Sequence, residues 1–493
     1  MRFIGKDPNI IDAYYTATAE GAITAGKPVI VEADGDVAQV VLTALTTPTV
    51  SSRVAYESGV PNQVGIAYDE NSERVVIAYA DGGNSSYGTA VVGSISGTTL
   101  SFGTPVVYKS SNPTKQNTPV FDPDNNKVVI AYQWNNANGY AIVGTVDPSD
   151  NSISFGSEAQ FESNQAVGVS MTYDKGADKF IIFWSENGDA ECLAVTGTVS
   201  GTSISFGSEV QVDAQNHAKD HVVSVAYNEN ANKTLFTWRN DDNINGPYTG
   251  DGTSRVGTVS GTSISVGTTK VWGEDDSLIN SIYVPGQNKI LIVYRDDNNS
   301  YYGTARVATI SGTSVSLGTA AVFESAETGN IALAVNDSDT SKVIITYTDN
   351  GDSNRSVAVL ATVSGTSVSF GSTFDIEGTD THNSDVAMTR VTGQNQAVWA
   401  GLRASHGTSS ARVISTGSTN LTSENYIGIA ADTYADNEDS TIGIVGCIDR
   451  NQTGLTAGQQ YFVQTDGTLS TTAGSPSVLA GTAISATELV VKE

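Results

Sequence analysis

A short apolar run recurs along this chain at a nearly fixed interval, and that period constrains the fold more than any other feature. It reads VVIAY (75–79), VVIAY (128–132), FIIFW (180–184), TLFTW (234–238), ILIVY (290–294), VIITY (343–347) and a divergent AVWAG (397–401), with successive starts 52 to 56 residues apart. A second marker follows about twenty residues later as ISGTTLSFG (95–103), VSGTSISFG (199–207), VSGTSISVG (259–267), ISGTSVSLG (310–318) and VSGTSVSFG (363–371). The second copy carries a longer VDPSDNSISFG (146–156) instead. Length variation at that point is what a hairpin tip tolerates.

Each period reads as four strands separated by Gly, Asn, Asp and Ser turns, with no 3.6-residue apolar spacing. In the second copy the strands are expected near 117–122, 127–133, 139–146 and 152–161. The second strand is apolar without interruption, which requires cover on both faces. A sandwich sheet exposes one face and alternates. A four-stranded blade packed between two others does not, and repeats of this length are a propeller signature. The expected fold is therefore all-β, a propeller of seven blades.

Closure follows from the ends. The last copy supplies TRVTGQ, AVWAGLR and SARVIST (410–416) and then stops, while TPTVSSRVAYESG (47–59) precedes the first complete copy as an orphan outer strand. Pairing the two joins both ends of the repeat array and removes a free edge. The propeller is expected over 45–416, leaving 1–44 and 417–493 to form one two-segment β domain. Within it AITAGKPVIVEADGDV (22–37) aligns without gaps to GLTAGQQYFVQTDGTL (454–469), each a strand ending in an Asp-Gly turn. Further strands are expected at YIGIAA (426–431), STIGIVGCID (440–449), VLAGTAIS (478–485) and ELVVK (488–492).

Charge and leader features narrow the function. With 53 Asp and Glu against 25 Lys and Arg, the net charge of −28 opposes binding to phosphate backbones, and no Lys/Arg cluster offsets it. Neither a nucleic-acid partner nor membrane insertion is expected. The opening MRFIGKDPNIIDAYY lacks the apolar core of a secretion signal. Cys192 and Cys447 lie in apolar surroundings and read as two buried free thiols.

The stretch from Tyr426 to Lys492, with YIGIA, GIVG, GLTAGQQYFVQTDGTLSTT and AGTAISATELVV, resembles the terminal modules of tailed-bacteriophage fibre and head-decoration proteins. It departs from them in having Ala457 where proline is common. The resemblance covers about 70 residues and implies a virion attachment module rather than any chemistry. It implies a location at the virion surface, capsid or tail proteins as partners, and assembly as a homo-oligomer. The function expected on this basis is a virion structural protein, tail fibre or capsid decoration, whose propeller adheres to host-surface polysaccharide. The alternative is a polysaccharide-active propeller enzyme in the same place, a glycosidase or lyase.

Catalytic signatures are thin, and no enzyme activity is expected. Sialidase-like propellers repeat a Ser-X-Asp-X-Gly-X-Thr-Trp box, which does not occur here. Arg239, Arg295 and Arg403 follow second strands near one rim, where ordinary surface charge explains them equally well. The histidines, His217, His221, His382 and His406, all fall in expected loops. The His217/His221 spacing converges ligands only on a helix.

Two binding readings remain. Aromatics at the starts of third strands, Tyr87, Tyr140, Tyr248, Tyr301 and Tyr302, with Trp134 beside them, would ring one rim and suit stacking on sugar faces. Their competing role is packing between blades. Loops after second strands place Asp81, Asp241, Asp242, Asp296, Asp297, Asp349 and Asp352 among amide oxygens. That donor set suits Ca²⁺, although Asx turns need the same residues. No cofactor is expected to be required, and Ca²⁺ is the one ion these loops fit.

Overall fold

A computed structural model describes residues 13–135, 137–186, 191–213, 218–241, 250–377, 386–403, 408–474 and 476–492. Among the described residues the chain is all-β, built from antiparallel sheets with two single-turn 3₁₀ segments, Gly82–Asn84 and Pro285–Gln287. It divides into two compact units, one of residues 1–45 and 417–493, the other of residues 46–416. Among the described residues no helix is long and apolar enough to cross a membrane.

In the larger unit each repeat forms one antiparallel sheet in chain order. In the second repeat Thr114–Asp122, Lys127–Trp134 and Asn138–Asp147 pair in succession. The second strand is buried along its length: in Lys127–Trp134 only the two end residues are partly exposed. Its alternate residues enter different cores. Val128, Ile130 and Tyr132 pack with Val76 and Ala78 of the first repeat, whereas Val129 and Ala131 pack with Phe180, Ile182 and Trp184 of the third. This is why the run is apolar at every position.

The same sharing continues through every neighbouring pair of repeats. It then returns to the start: Val398, Ala400 and Val413 of the seventh repeat share a core with Val75, Ile77 and Tyr79 of the first. The first strands follow the same order, with Val386–Val391 contacting both Ala321–Val335 before it and Pro61–Asp69 of the first repeat. In the seventh sheet Leu42–Val50 lies beside Thr408–Thr419 in place of a fourth strand. Beyond it Ser51 N donates to Val413 O at 2.8 Å, and Val54 and Ala411 form an isolated antiparallel bridge. The orphan N-terminal strand thus pairs where the sequence placed it.

The fourth strand differs from expectation. Instead of one strand over 152–161, Ser152–Phe155 and Ala159–Glu162 pair separately with the third strand. The break falls at Gly156, where a Cβ would lie 1.8 Å from the carbonyl oxygen of Thr202, at the hairpin tip of the next repeat. The chain opens there to admit its neighbour's tip. The tip itself turns at Gly201, whose φ of 62° only glycine adopts readily. The fourth-to-first connection also varies. Lys270–Val284 is one continuous strand that pairs with the third strand of the fourth repeat at Val271↔Thr253 and with the second strand of the fifth at Ile282↔Leu291.

The smaller unit contains two five-stranded sheets of identical topology. One has the spatial order Tyr14–Thr18, Asp439–Gly443, Tyr426–Ala430, Pro28–Val31, Val37–Gln39. The other runs Ile448–Asp449, Leu489–Val491, Val478–Ala483, Gln460–Val463, Leu469–Ser470. Their hydrogen bonds correspond. Gly26 N donates to Ala430 O at 2.9 Å as Gly458 N donates to Ala483 O at 2.8 Å, and Glu32 N to Asp36 O as Gln464 N to Thr468 O, both at 2.8 Å. The unit is a structural duplication, and the chain of the larger unit enters between the third and fourth strands of the first copy. The expected strand 440–449 is accordingly two, one in each sheet, separated by Gly446 at φ 91°. Both cysteines are free and buried.

Candidate binding site

The first strand of each repeat ends in a short hairpin, and in the first four repeats and the sixth an Asp or Asn that closes the strand fixes the turn. Asp69 accepts from the N–H groups of Asn71 and Ser72, Asp122 from those of Asp124 and Asn125, and Asp174 from that of Ala177, all near 3.0 Å. Strand pairing places the residue before the closing one at the same register position in every repeat. In the first five repeats it is Tyr68, Phe121, Tyr173, Tyr227 and Tyr283, paired with Val75, Val128, Phe180, Thr234 and Ile290. The sixth and seventh repeats place Val335 and Arg390 there.

All five aromatics line one cavity of about 470 Å³, which we term the first-strand pocket. Val335 completes the apolar wall. The charged side chains lining it are Glu70, Lys175 and Glu229, all exposed.

Phenol hydroxyls lace adjacent hairpins together. Tyr173 Oη lies 2.6 Å from Asp178 in its own hairpin and 2.6 Å from Asp124 in the preceding one. Tyr227 Oη donates to Asn232 at 2.7 Å and accepts from Gly176 N at 3.0 Å. Burial, followed by nearby carboxylates, raises these phenols: Tyr227 is pushed up to about 12 and Tyr173 well beyond the ordinary range. The rings are therefore neutral, fixed and pre-positioned. Asp122, Asp124 and Asp178 form the one group of three carboxylates among the described residues with ligand-compatible spacing. Asp122 is committed to its turn, and Tyr173 lies between the other two.

The aromatics singled out from sequence lie at the other ends of the second strands, as the pairing Asp81↔Tyr87 against Tyr68↔Val75 shows. They do not form one ring of open faces. Trp134 and Tyr140 meet edge-on at 5.7 Å, with Lys109 Nζ 4.3 Å from the first ring and 5.1 Å from the second, and that lysine also pairs with Glu158 at 2.7 Å. Their faces are engaged in packing. Tyr87 and Tyr302 open third strands and are half-buried. Tyr301 is 46% exposed, but in the turn rather than the strand, with the Arg295 guanidinium 5.1 Å from its ring. Tyr248 lies outside the described residues.

The loop carboxylates serve turns. Asp81 accepts from Gly83 N, Asp296 from Asn299 N, and Asp349 from the N–H groups of Gly351 and Asp352. Asp297 accepts from Ser277 and pairs with Arg295 at 2.7 Å, and Asp352 pairs with Arg355 at 3.0 Å. Asp242, His217, His382 and His406 fall outside the described residues, as do the side chains of Asp241, His221 and Arg403. Arg239 is buried.

Sequence reasoning passed over the first-strand ring. Its signal is the aromatic before the turn residue in AYDE, VFDP, TYDK, AYNE and IYVP, recurring with the repeat.

A smaller cavity of about 290 Å³ lies in the duplicated unit, walled by Tyr15, Val31, Tyr426, Ile444 and Val445 with Lys492 beside them. Tyr14, Tyr15 and Val445 are 48%, 40% and 54% exposed.

No family model matches the chain, and no curated protein matches it. Among solved structures it is similar to a mutant of AofleA from Arthrobotrys oligospora, with 9% identity, a TM-score of 0.42, and coverage of 84% of this chain and 94% of that one. At that score and identity nothing about this chain's activity is carried over.

Proposed function

We propose that the chain is a non-catalytic display protein of a tailed-phage particle, its repeats arranged as a seven-bladed propeller that binds host-surface polysaccharide. The propeller reading is supported by the cores shared between consecutive repeats and by the core that the seventh shares with the first. The observation that carries the binding role is the set of five aromatic side chains held at one register position around one cavity. The half-buried rings of Phe121, Tyr173 and Tyr283, backed by the buried Tyr68 and Tyr227, would supply contact area to the C–H faces of sugars, and the exposed carboxylates of Glu70 and Glu229 would orient the ligand. The duplicated unit would be the attachment base, in line with its likeness in motif to phage terminal modules. Exposed Tyr15 and Val445, which line its apolar cavity, support a protein-docking face there.

Two experiments test this. A glycan array and calorimetry with host exopolysaccharide should show binding without chain shortening. Gold-labelled antibody against the protein should decorate intact particles. Shortened chains would replace the adhesin by an enzyme, and unlabelled particles would remove the virion role.

A further inference from the structure

The first-strand pocket has a sign as well as a shape. Two of the three charged side chains that line it, Glu70 and Glu229, are carboxylates, opposed by Lys175 alone. Further carboxylates stand behind the aromatic wall. Asp124 and Asp178 hold the hydroxyl of Tyr173. The Tyr68 phenol is raised by burial first, then by Glu73, Glu70, Asp337 and Asp69, of which Asp337 is itself paired with Arg390. The chain as a whole carries −28. Aromatic faces in a negative field attract cations, because the ring quadrupole and the carboxylates act in the same direction. An anionic sugar would face repulsion from the same groups.

Resting on the reading of this pocket as a glycan site, we propose that its ligand is an amino-sugar chain with free, protonated amines, its ring faces stacking on the first-strand aromatics and its ammonium groups meeting Glu70 and Glu229. A neutral glycan would use stacking and hydroxyl hydrogen bonds to those carboxylates. An ammonium-bearing one would add cation–π and charge-assisted contacts. Part of its affinity would therefore be lost in salt.

Calorimetry on the full-length protein tests the inference with two probes of equal length, a glucosamine oligomer and its fully N-acetylated counterpart. The glucosamine oligomer is expected to bind at least tenfold more tightly at low ionic strength, with the preference shrinking in 0.5 M salt. The pair Glu70→Gln/Glu229→Gln should bring the ratio of the two affinities close to one, with the circular dichroism spectrum of the fold retained. Equal binding of the two probes, or a preference untouched by the double substitution, would overturn the amino-sugar assignment and leave the glycan reading standing. If neither probe binds while other saccharides on the array do, the assignment again falls alone. If no saccharide binds at all, the pocket reading falls with it.

Discussion

Arg412 joins three parts of the chain that are far apart in sequence: its Nε donates to Glu377 Oε2 at 2.6 Å and its Nη1 to the carbonyl oxygen of Ser51 at 2.7 Å. Glu377 belongs to the sixth repeat, Arg412 to the seventh, and Ser51 directly follows the N-terminal strand Leu42–Val50 that completes the seventh sheet. The Glu377 side chain is 4% exposed, and Arg412 and Ser410 are among the groups that hold its charge. Replacing the arginine removes a charge-assisted hydrogen bond from this buried carboxylate, at a cost on the order of 1.5–3 kcal/mol. Arg412→Leu should therefore lower the denaturant midpoint sharply, and Arg412→Leu/Glu377→Leu should recover much of the loss. A single substitution that leaves the midpoint unchanged would show that the ends are held by the strand pairing alone.

Interlocking tips make a second, graded prediction. Gly156, Gly207, Gly267 and Gly318 each face the carbonyl of a threonine in the next repeat's tip, and a Cβ at any of them would come within 2.0 Å of it. Gly371 stands at the same motif position but faces the seventh repeat, which lacks that tip, and its nearest neighbour is 3.7 Å away. Gly207→Ala should destabilise by about 1–3 kcal/mol through overpacking. Gly371→Ala should change stability by less than about 0.5 kcal/mol, as an unclashed surface substitution does. Equal effects at the two positions in chemical denaturation would contradict this account of the SGTS motif.

The location of the ligand site is tested by two tyrosines at opposite ends of the sheets. Tyr227→Ala removes one wall of the first-strand pocket and should weaken polysaccharide binding at least tenfold. Tyr301→Ala removes an exposed ring in the opposite loops and should leave binding unaltered. Tyr227→Phe separates stacking from lacing: it keeps the ring, loses the contacts with Asn232 and Gly176, and should cost stability of about 1 kcal/mol with little change in affinity. The reverse pattern for the two alanine variants would return the site to the rim suggested by sequence.

Alkaline pH should unfold the protein through its buried tyrosines. Tyr79, Tyr132 and Tyr347 are buried, and each donates to a glutamate, Glu57, Glu158 and Glu324, at 2.6–2.8 Å. Burial first, and the carboxylate acceptor second, raise all three phenols far above their ordinary value near 10. A raised folded value means that the stabilisation is complete below the unfolded value and declines as pH rises beyond it. Each such phenol then removes about 1.4 kcal/mol per pH unit above roughly 10. Tyrosinate absorbance should show these rings ionising only together with loss of the circular dichroism signal. Full ionisation of all tyrosines with an intact spectrum would refute this.

How much of this was legible beforehand depended on whether a residue's role is set by its own strand or by its neighbours. The uninterrupted VVIAY runs announced double cover, because every side chain in them must be apolar when both faces are packed. The pairing of the Val54 region with the Val413 region was legible from two incomplete ends. The break at Gly156 was not, because its cause is Thr202 in another repeat. Nor was the division of 440–449, where Gly446 carries the chain between duplicate sheets. The ring of Tyr68, Phe121, Tyr173, Tyr227 and Tyr283 was written in the repeats. It was overlooked because each member reads singly as an ordinary strand end, and only the register of the assembled sheets brings them around one space.

The duplication in the terminal unit leads to the last prediction. The chain leaves the first copy after Gln39 and re-enters it at Asn420, and these points are adjacent: the Asn420 side chain accepts from Val41 N and donates to Gln39 O, both at 2.9 Å. Val40 and Leu421 flank that junction and sit in the core shared by both copies. The second copy spans the equivalent gap, between Leu469–Ser470 and Val478–Ala483, with only a short loop. Closing a flexible loop carries an entropic cost that grows slowly with length, so a short bridge should hold the first copy no less firmly than the long insert does. Excising residues 46–416 and joining the ends through a short Gly/Ser linker should give a soluble β protein that unfolds cooperatively. On the reading proposed above, it should also keep attachment to the particle while losing polysaccharide binding. A linker variant without dispersed amide resonances would mean that the first copy depends on the insert for its fold, and that the duplication is one of topology but not of stability.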